Sequence, residues 1–275
     1  MTVDLEEAMD VVATDSPLVN AVTNAVTVND VAQVILHWGG LPVMADDERE
    51  VGDMVAASEA CLLNMGTVSE TGETTMLAAG RAANEAGVPV VVDPVGAGST
   101  PTRDRVATRL VTELDVAILN GNYGEITALT GDEAAVRGVE SVGEYHDIAT
   151  TAVACAREYD TVVVASGETD VVATPQTAHE VSAGHPQMGT VVGTGCMLGG
   201  SLATVAGAVE DPERAALAGT VGFGLAGEAA AAGEFGAVHG PASYNVAFKD
   251  AVAGLRDVAT DPVDDRIEQV LGVER

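Results

Sequence analysis

Short apolar runs that alternate with helical patterns constrain the fold of this chain most strongly. Residues 88–92 are apolar at every position, and further strands are predicted at residues 61–65, 116–119 and 161–165. A short run that is apolar throughout is typical of a parallel strand covered on both faces. The pattern therefore predicts an α/β fold, in which one domain over residues 1–275 has a doubly wound, mainly parallel sheet with helices on both faces.

Two segments in the C-terminal half depart from this alternation. Residues 171–186 predict a short antiparallel excursion, and a polar helix is expected after Pro262. Between these segments, from Cys196 to Leu255, the pattern is mostly helical, and the stretch 142–159 also predicts a helix.

A glycine turn precedes the most apolar of these helices. Gly193, Thr194 and Gly195 lead directly into Cys196 and a run of small and apolar residues. The first turn of a helix offers unpaired N–H groups and partial positive charge, so it can hold phosphate and is expected to make the Cys196 thiol unusually acidic. The negative charge of bound phosphate would oppose that lowering of the thiol pKa, and the sequence leaves open which effect prevails. Glycine also precedes many helices for steric reasons, so the turn alone is a weak indication.

Polar residues follow several predicted strands. Asp93, residues 120–125 and Ser166 all fall at carboxyl ends, where ligands gather in parallel sheets. Asp93 and Glu125 are candidates for holding Mg²⁺, through water, because that ion keeps much of its hydration. Asn122 and Glu125 also fit a capping box, and Asp93 fits a turn before a proline. Both interpretations remain open, and they are compatible.

The charge balance restricts the environment and the partners. The net charge is −30, from 42 acidic and 12 basic residues, and Lys249 is the only lysine. Such self-repulsion is tolerable where salt shortens the Debye length to roughly 3 Å, which predicts a high-salt cytoplasm and disfavours nucleic acid and anionic membranes as partners. We expect no membrane span, because no apolar run approaches about 20 residues, and the N-terminus lacks the basic start of a signal peptide.

Several nucleotide-binding and hydrolytic designs are excluded by the sequence. The chain has no Gly-Lys-Ser/Thr of a P-loop, and its single lysine leaves no catalytic lysine near the phosphates. The glycine turn does not continue as a dinucleotide fingerprint. No Ser-His-Asp arrangement follows from the spacing. Among designs that bind phosphate, an anion site formed by backbone N–H groups remains compatible with the sequence.

Short motifs also occur in order along nearly the whole chain. They occupy residues 18–19 with 22–24, 28–30, 42–45, 93–98, 121–122 with 125–126, 184–186 with 188, and 193–198. Together they resemble the hydroxyethylthiazole kinase family, a branch of the ribokinase-like superfamily. The superfamily usually has Asp where this chain has Cys196, whereas the thiazole kinases have Cys.

The resemblance implies a reaction and an assembly. It implies transfer of the ATP γ-phosphoryl group to the alcohol of hydroxyethylthiazole, giving the thiazole phosphate used to make thiamine phosphate. It also implies dependence on Mg²⁺ and a homotrimer with active sites between subunits.

The resemblance also implies roles for individual residues. Cys196 would orient or deprotonate the acceptor hydroxyl. The thiazole site would include Asn24, Met44 and Gly193. The nucleotide site would include Asn120, Ser166, Thr194 and Gly195. Asp93 and Glu125 would serve Mg²⁺ and the phosphates. This chain departs from the family pattern at Asn120, where Arg or Lys is common, and at Asn20, where His is common.

Other functions remain compatible with these residues. One is a different small-alcohol kinase of the ribokinase type, such as one acting on the pyrimidine half of thiamine. Another is the ADP-dependent dehydratase that repairs hydrated nicotinamide cofactors, although that family has Asp after its Gly-Thr-Gly. A third is a binding protein without turnover, for which Asn120 is the only indication.

Overall fold

The computed structural model describes residues 3–130, 148–258 and 263–272. Its described strands form one sheet in the order β2-β1-β3-β4-β5-β6-β7-β8-β9. The strands are β1 Leu18–Val22, β2 Leu41–Val43, β3 Ala60–Asn64, β4 Val90–Asp93, β5 Ile118–Asn122, β6 Val162–Ser166, β7 Asp170–Ala173, β8 Ala178–Val181 and β9 Ile267–Leu271. All pairings among β1 to β6 are parallel, and those of β6 to β9 are antiparallel. The predicted parallel sheet and antiparallel excursion are confirmed.

Helices follow most of the parallel strands. They are α1 Leu5–Asp15, α2 Val28–Trp38, α3 Val51–Ala56, α4 Glu70–Ala86, α5 Pro101–Glu113, α6 Tyr123–Leu129, α7 Ile148–Tyr159, α8 Thr194–Ala206, α9 Pro212–Ala232, α10 Pro241–Ala253 and α11 Leu255–Val258. The helix predicted for residues 142–159 is observed from Ile148, and residues 142–147 lie outside the described residues.

Two apolar clusters cover the opposite faces of the sheet. In β3, Leu62 belongs to one cluster, whereas Cys61 and Leu63 belong to the other. Adjacent strand residues point to opposite faces, so this division follows from the pleat. Both faces are therefore buried, as the unbroken apolar runs predict. Cys61 and Cys155 are buried in the core, as expected.

Helix α9 is long and apolar enough, by length and composition, to cross a membrane. It is the only such helix in the described ranges, and 78% of its most apolar window is buried inside the protein. The expectation concerned unbroken apolar runs, and charged residues interrupt this helix at Glu213, Arg214 and Glu228. The apolarity of α9 is explained by its place in the core.

The predicted C-terminal helix is wrong. Residues Val263–Arg266 form a 3₁₀ turn, and β9 then pairs antiparallel with β8, with Ile267 opposite Val181. Without β9, β8 would present an open row of backbone donors and acceptors. Pairing with β8 therefore outweighs the helical preference of this polar segment, and local pattern cannot reveal such a partner.

Candidate functional site

The start of α8 is a tight turn that requires glycine. Gly193 has φ +89°, and a Cβ built on it would lie 2.4 Å from Thr27 Cγ2. The Thr194 hydroxyl donates to the carbonyls of Met188 and Val191, at 2.8 and 2.9 Å. Gly195 is exposed, and its Cβ would meet no atom within 4 Å. The first turn of this helix is thus open to a ligand and suited to an anion.

Cys196 lies just inside this opening and is 8% exposed. Asn24 Nδ2 donates to its sulfur at 3.6 Å. Burial, and then the negative charge of Asp93, raise the pKa of the thiol, and hydrogen bonds from neighbouring side chains offset this only in part. The expectation of an unusually acidic thiol was therefore wrong, because a thiolate here would lose its hydration and face a carboxylate.

A buried chain of polar side chains connects Cys196 with Asp93. Asn24 Nδ2, which contacts the sulfur, also donates to Asn64 Oδ1 at 2.8 Å. Asn64 Nδ2 in turn donates to Asp93 Oδ2 at 2.6 Å. Asn24 also accepts from the backbone N–H groups of Val26 and Thr27, which fixes the loop before α2. The candidate residues Asn24, Cys196 and Asp93 are thus brought together.

Asn64 was missed by the sequence analysis, although a signal was present. It is the last residue of β3 and lies opposite Asp93 in the neighbouring parallel strand. The argument that selected Asp93, a polar residue at a carboxyl strand end, applies equally to Asn64. Asn64 lies inside an otherwise apolar run, so the local pattern at this position indicates a core strand and not a site.

Asp93 is a buried carboxyl group, 3% exposed. Burial and the nearby charge of Glu125 raise its pKa well above the usual range, more than the hydrogen bond from Asn64 lowers it. A Cβ built on Gly199 of α8 would lie 3.5 Å from both Asp93 Oδ2 and Asn120 Nδ2. Asp93 and Asn120 therefore both lie against α8 at Gly199, at a distance that corresponds to ordinary van der Waals contact.

Glu125 forms the capping box that its spacing with Asn122 predicted. Its N–H donates to Asn122 Oδ1 at 3.0 Å, and its Oε2 accepts from the N–H of Asn122 at 2.8 Å. Its Oε1 accepts from the N–H of Gly96 at 2.7 Å. Glu125 thus joins the loops that follow β4 and β5, and it keeps its charge close to Asp93.

The donor set fits Mg²⁺ held largely through water. Asp93 and Glu125 supply two nearby carboxylates, and their mutual repulsion would be relieved by a cation. In the described ranges, no group of three or more His, Cys, Asp or Glu side chains could hold a metal ion. Mg²⁺ commonly binds through one or two carboxylates together with substrate phosphates and water.

Asn120 combines a structural contact with an unsatisfied acceptor. Its Nδ2 donates to the Gly195 carbonyl at 3.3 Å, which ties β5 to the first turn of α8. Its Oδ1 is buried and has no partner among the residues that the structure describes. A buried acceptor of this kind is satisfied at little cost by a donor on a ligand or on an ordered water.

A cavity of about 580 Å³ opens beside the start of α8. Its size is in the range of small-molecule and cofactor sites. Three predicted nucleotide residues line it, namely Ser166, Thr194 and Gly195. Other walls come from the segment 183–189 and from Leu198 and Phe223. Asn120 does not line the cavity, but its side chain donates to the carbonyl of Gly195, which does line it.

Met44 does not line this cavity. It is half-buried directly after β2 and packs against the apolar cluster that includes Cys196. Asn20 anchors the adjacent residue, because its side chain donates to the Ala45 carbonyl at 3.3 Å and accepts from the Ala45 N–H at 3.2 Å. The Asn at position 20 therefore holds the Met44 segment against β1.

Arg103 was also missed, although the basic character of α5 was visible in the sequence. Its guanidinium donates to the carbonyls of Met65 and Gly66 after β3, and of Val95 after β4. A fork with five donors suits such a cluster of carbonyls. Arg103 therefore fixes the two loops that flank Asp93.

Comparisons with known proteins identify the same family. The profile of the hydroxyethylthiazole kinase family matches residues 9–257. The chain is 66% identical to a hydroxyethylthiazole kinase from Natronomonas pharaonis over 98% of this chain and 97% of that protein. Another hydroxyethylthiazole kinase, from Haloquadratum walsbyi, is 61% identical over 93% and 90% of the two chains.

A solved structure shares the architecture over almost its full length. The hydroxyethylthiazole kinase structure from Pyrococcus horikoshii OT3 superposes with a TM-score of 0.82 at 31% identity, covering 97% of this chain and 98% of that one.

Proposed function

Because this chain belongs to the hydroxyethylthiazole kinase family, we propose that it transfers the γ-phosphoryl group of ATP to the hydroxyl of hydroxyethylthiazole. The observation that carries this proposal is the start of α8, where Cys196 is linked through Asn24 and Asn64 to Asp93. The open first turn and the adjacent nucleotide-sized cavity support it.

Phosphoryl transfer depends mainly on positioning and on neutralising charge. The free N–H groups at the start of α8 would hold the transferring phosphoryl group. Asp93 and Glu125 would hold Mg²⁺ through water, and that ion would supply positive charge to the phosphates. Ser166, Thr194 and Gly195 would contact the nucleotide, and Asn120 would act on the nucleotide site through its hydrogen bond to the Gly195 carbonyl. Gly193, Asn24 and Met44 would border the thiazole.

Cys196 would orient the acceptor hydroxyl more than it would deprotonate it in advance. Burial and Asp93 raise the pKa of the thiol, so the group remains protonated at neutral pH. A loose transition state needs little removal of the hydroxyl proton until late. The sulfur of the protonated thiol can accept a hydrogen bond from the hydroxyl and so orient it. A thiol that keeps its proton cannot take up a second one, so the hydroxyl proton would pass to an oxygen of the transferring phosphoryl group as the bond to phosphorus forms.

Replacing Cys196 with Ala is expected to lower kcat by about 10²-fold, the size of effect seen when a reacting group loses its orientation, with little change in ATP affinity. Cys196→Asp is expected to retain activity. Cys61→Ala is the matched control, because that thiol is buried on the other face of the sheet. Steady-state kinetics measure kcat, and calorimetry measures the affinity for ATP. An unaltered kcat in Cys196→Ala would show that the thiol takes no part in the reaction.

Replacing Glu125 with Ala is expected to raise the Mg²⁺ concentration needed for half-maximal rate several-fold and to lower stability by about 1 kcal/mol through loss of the cap. Asn122→Ala is the control, because it breaks the same capping box but leaves the Glu125 carboxylate in place. Magnesium titrations of both folded variants separate the roles. Equal titrations would leave Glu125 with the capping role alone.

The reaction itself is tested by a panel of substrates. The protein is assayed in molar KCl with hydroxyethylthiazole, with the pyrimidine alcohol of thiamine and with a hydrated nicotinamide cofactor. We expect hydroxyethylthiazole to give the highest kcat/KM. A preference for the pyrimidine alcohol or the hydrated cofactor would support the corresponding alternative enzyme, and no turnover in a folded protein would support a binding protein.

We further propose that residues 1–275 form one domain and assemble as a homotrimer with sites between subunits. Several apolar side chains are exposed near the start of α2 and α8, including Val26 and Val192, at 71% and 76%. Sedimentation equilibrium would give three times the 27.8 kDa chain mass. The acidic charge supports a cytoplasm of high salt as its environment.

A further inference from the structure

The segment 183–189 forms one wall of the cavity beside α8, and we call it the cavity wall. Six of its residues line the cavity. It follows β8 and includes the 3₁₀ turn Pro186–Thr190 in part, but it belongs to no strand or long helix that would hold it by its own hydrogen bonds. Its position must therefore be set by other parts of the chain.

Helix α9 supplies the surface on which the cavity wall lies. A Cβ built on Gly224 would lie 2.7 Å from the backbone of Ala183, and one built on Gly227 would lie 2.4 Å from Met188 Sδ. These two glycines therefore allow the wall to approach α9 closely. The Thr194 hydroxyl also donates to the Met188 carbonyl at 2.8 Å, which ties the later part of the wall to α8.

A charged side chain of α9 fixes the wall by hydrogen bonds. Glu228 Oε1 accepts from the backbone N–H of Gly184 at 3.1 Å. Gly184 has φ +128°, a conformation that favours glycine, so the wall turns sharply at this point. The carboxylate therefore holds the wall where it turns.

Arg266, in the 3₁₀ turn Val263–Arg266, holds the Glu228 side chain in place. Arg266 donates through Nη1 and Nη2 to the two oxygens of Glu228, at 3.0 and 2.9 Å. Its Nη1 also donates to the Ser182 carbonyl at 2.9 Å, directly before the wall. A bidentate arginine–carboxylate pair fixes direction as well as distance. Arg266 lies beyond residues 9–257, the part of the chain that the family profile covers.

We propose that Arg266 and Glu228 are positioning residues for the nucleotide, so that the C-terminal turn Val263–Arg266 forms a functional part of the ATP site. Neither side chain lines the cavity. They act by holding the cavity wall against α9. The inference rests on the proposed use of ATP and deepens it by assigning this role to a segment outside the family match.

The test compares Arg266→Gln with Arg214→Gln in the full chain in molar KCl. Both arginine side chains are 41% exposed and form an ion pair with a glutamate, but Arg214 pairs with Glu7 away from the wall. We expect Arg266→Gln to raise the KM for ATP and the Kd of the non-hydrolysable analogue AMP-PNP roughly tenfold. The KM for hydroxyethylthiazole should change little, and Arg214→Gln should match the wild type.

An exchange of charges separates positioning from simple stabilisation. Glu228→Arg combined with Arg266→Glu restores opposite charges, but it places a side chain without an acceptor opposite the Gly184 N–H. We expect Tm to recover while the Kd of AMP-PNP stays raised. If Arg266→Gln does not fold, Arg266→Lys takes its place, with an intermediate rise in Kd expected because lysine lacks the fork.

Three results would overturn the inference, and only the third also contradicts the proposed function. Equal AMP-PNP affinity in the wild type and the folded Arg266 variant would remove the positioning role but leave the proposed kinase function intact. Recovery of both Tm and affinity in the exchanged variant would assign the pair to stability alone. Failure of the wild type to bind AMP-PNP would instead contradict the proposed function, and this inference with it.

Discussion

Asp93→Asn is expected to lower kcat by about 10²–10³-fold, the size of effect seen when one charge-stabilising group is lost from an active site. The amide is nearly isosteric with the carboxylate and can still accept from Asn64 Nδ2 through its oxygen. It removes the negative charge with which we expect this position to serve Mg²⁺. Steady-state kinetics at saturating Mg²⁺ measure the loss.

The same substitution is expected to raise stability. Burial and Glu125 raise the pKa of Asp93 in the folded protein. The folded state therefore holds this proton more tightly than the unfolded state, and its contribution to stability is fully present below the ordinary pKa of about 4 and is lost as the pH rises through the folded value. Asn cannot ionise, so the gain in Tm over wild type should be larger at pH 7 than at pH 4.

The opposite directions of these two changes make the test informative. An inactive but stabilised Asp93→Asn variant is expected if the buried negative charge of Asp93 serves the reaction and at the same time lowers the stability of the fold. A variant that loses stability together with activity would show that Asp93 is a structural residue. Unchanged kcat would exclude Asp93 from phosphoryl transfer.

Gly193→Ala is expected to lower kcat/KM by at least about 10²-fold and to reduce the free energy of unfolding by about 1–3 kcal/mol. Alanine at this position would have to adopt the positive φ of Gly193, +89°, and its Cβ would lie 2.4 Å from Thr27 Cγ2. The first turn of α8 must then shift, and with it the N–H groups that we expect to hold the phosphoryl group. Chemical denaturation and kinetics on the same sample measure both effects.

Two variants separate the strain from the clash. Gly87→Ala also places alanine at positive φ, +72°, but its Cβ would meet no atom within 4 Å, so it should lose some stability and keep full activity. Thr27→Ser combined with Gly193→Ala removes the clashing methyl group and retains the hydroxyl that accepts from Asn24. Partial recovery of activity is expected. An active Gly193→Ala single variant would contradict the assigned geometry.

The sheet could be predicted from the sequence because its strands carry a strong local signal. A run such as residues 88–92 has few alternatives to a strand buried on both faces, and the polar residue at its end identifies the carboxyl edge. This reasoning located Asp93, whereas the glycine turn before a helix located Cys196 and the spacing from Asn122 located the Glu125 cap. Each of these depends on near neighbours in sequence.

The remaining features depend on contacts between distant segments. The thiol of Cys196 is not acidic because burial and Asp93, far away in sequence, oppose the helix N-terminus. The C-terminal segment forms β9 because β8 offers it an edge. No local sequence pattern indicates the hydrogen bonds that join Arg266 to Glu228 and Glu228 to Gly184. Such features follow from tertiary pairing, which overrides local preference.

The most direct test of the account is the product formed by the wild-type protein. ATP, Mg²⁺ and hydroxyethylthiazole are incubated with it in molar KCl, and the mixture is followed by ³¹P nuclear magnetic resonance. The account predicts a new phosphate monoester signal, with ADP formed in equal amount, and neither signal when hydroxyethylthiazole is omitted. ADP formation without the monoester, or no reaction by a protein that remains folded, would contradict it.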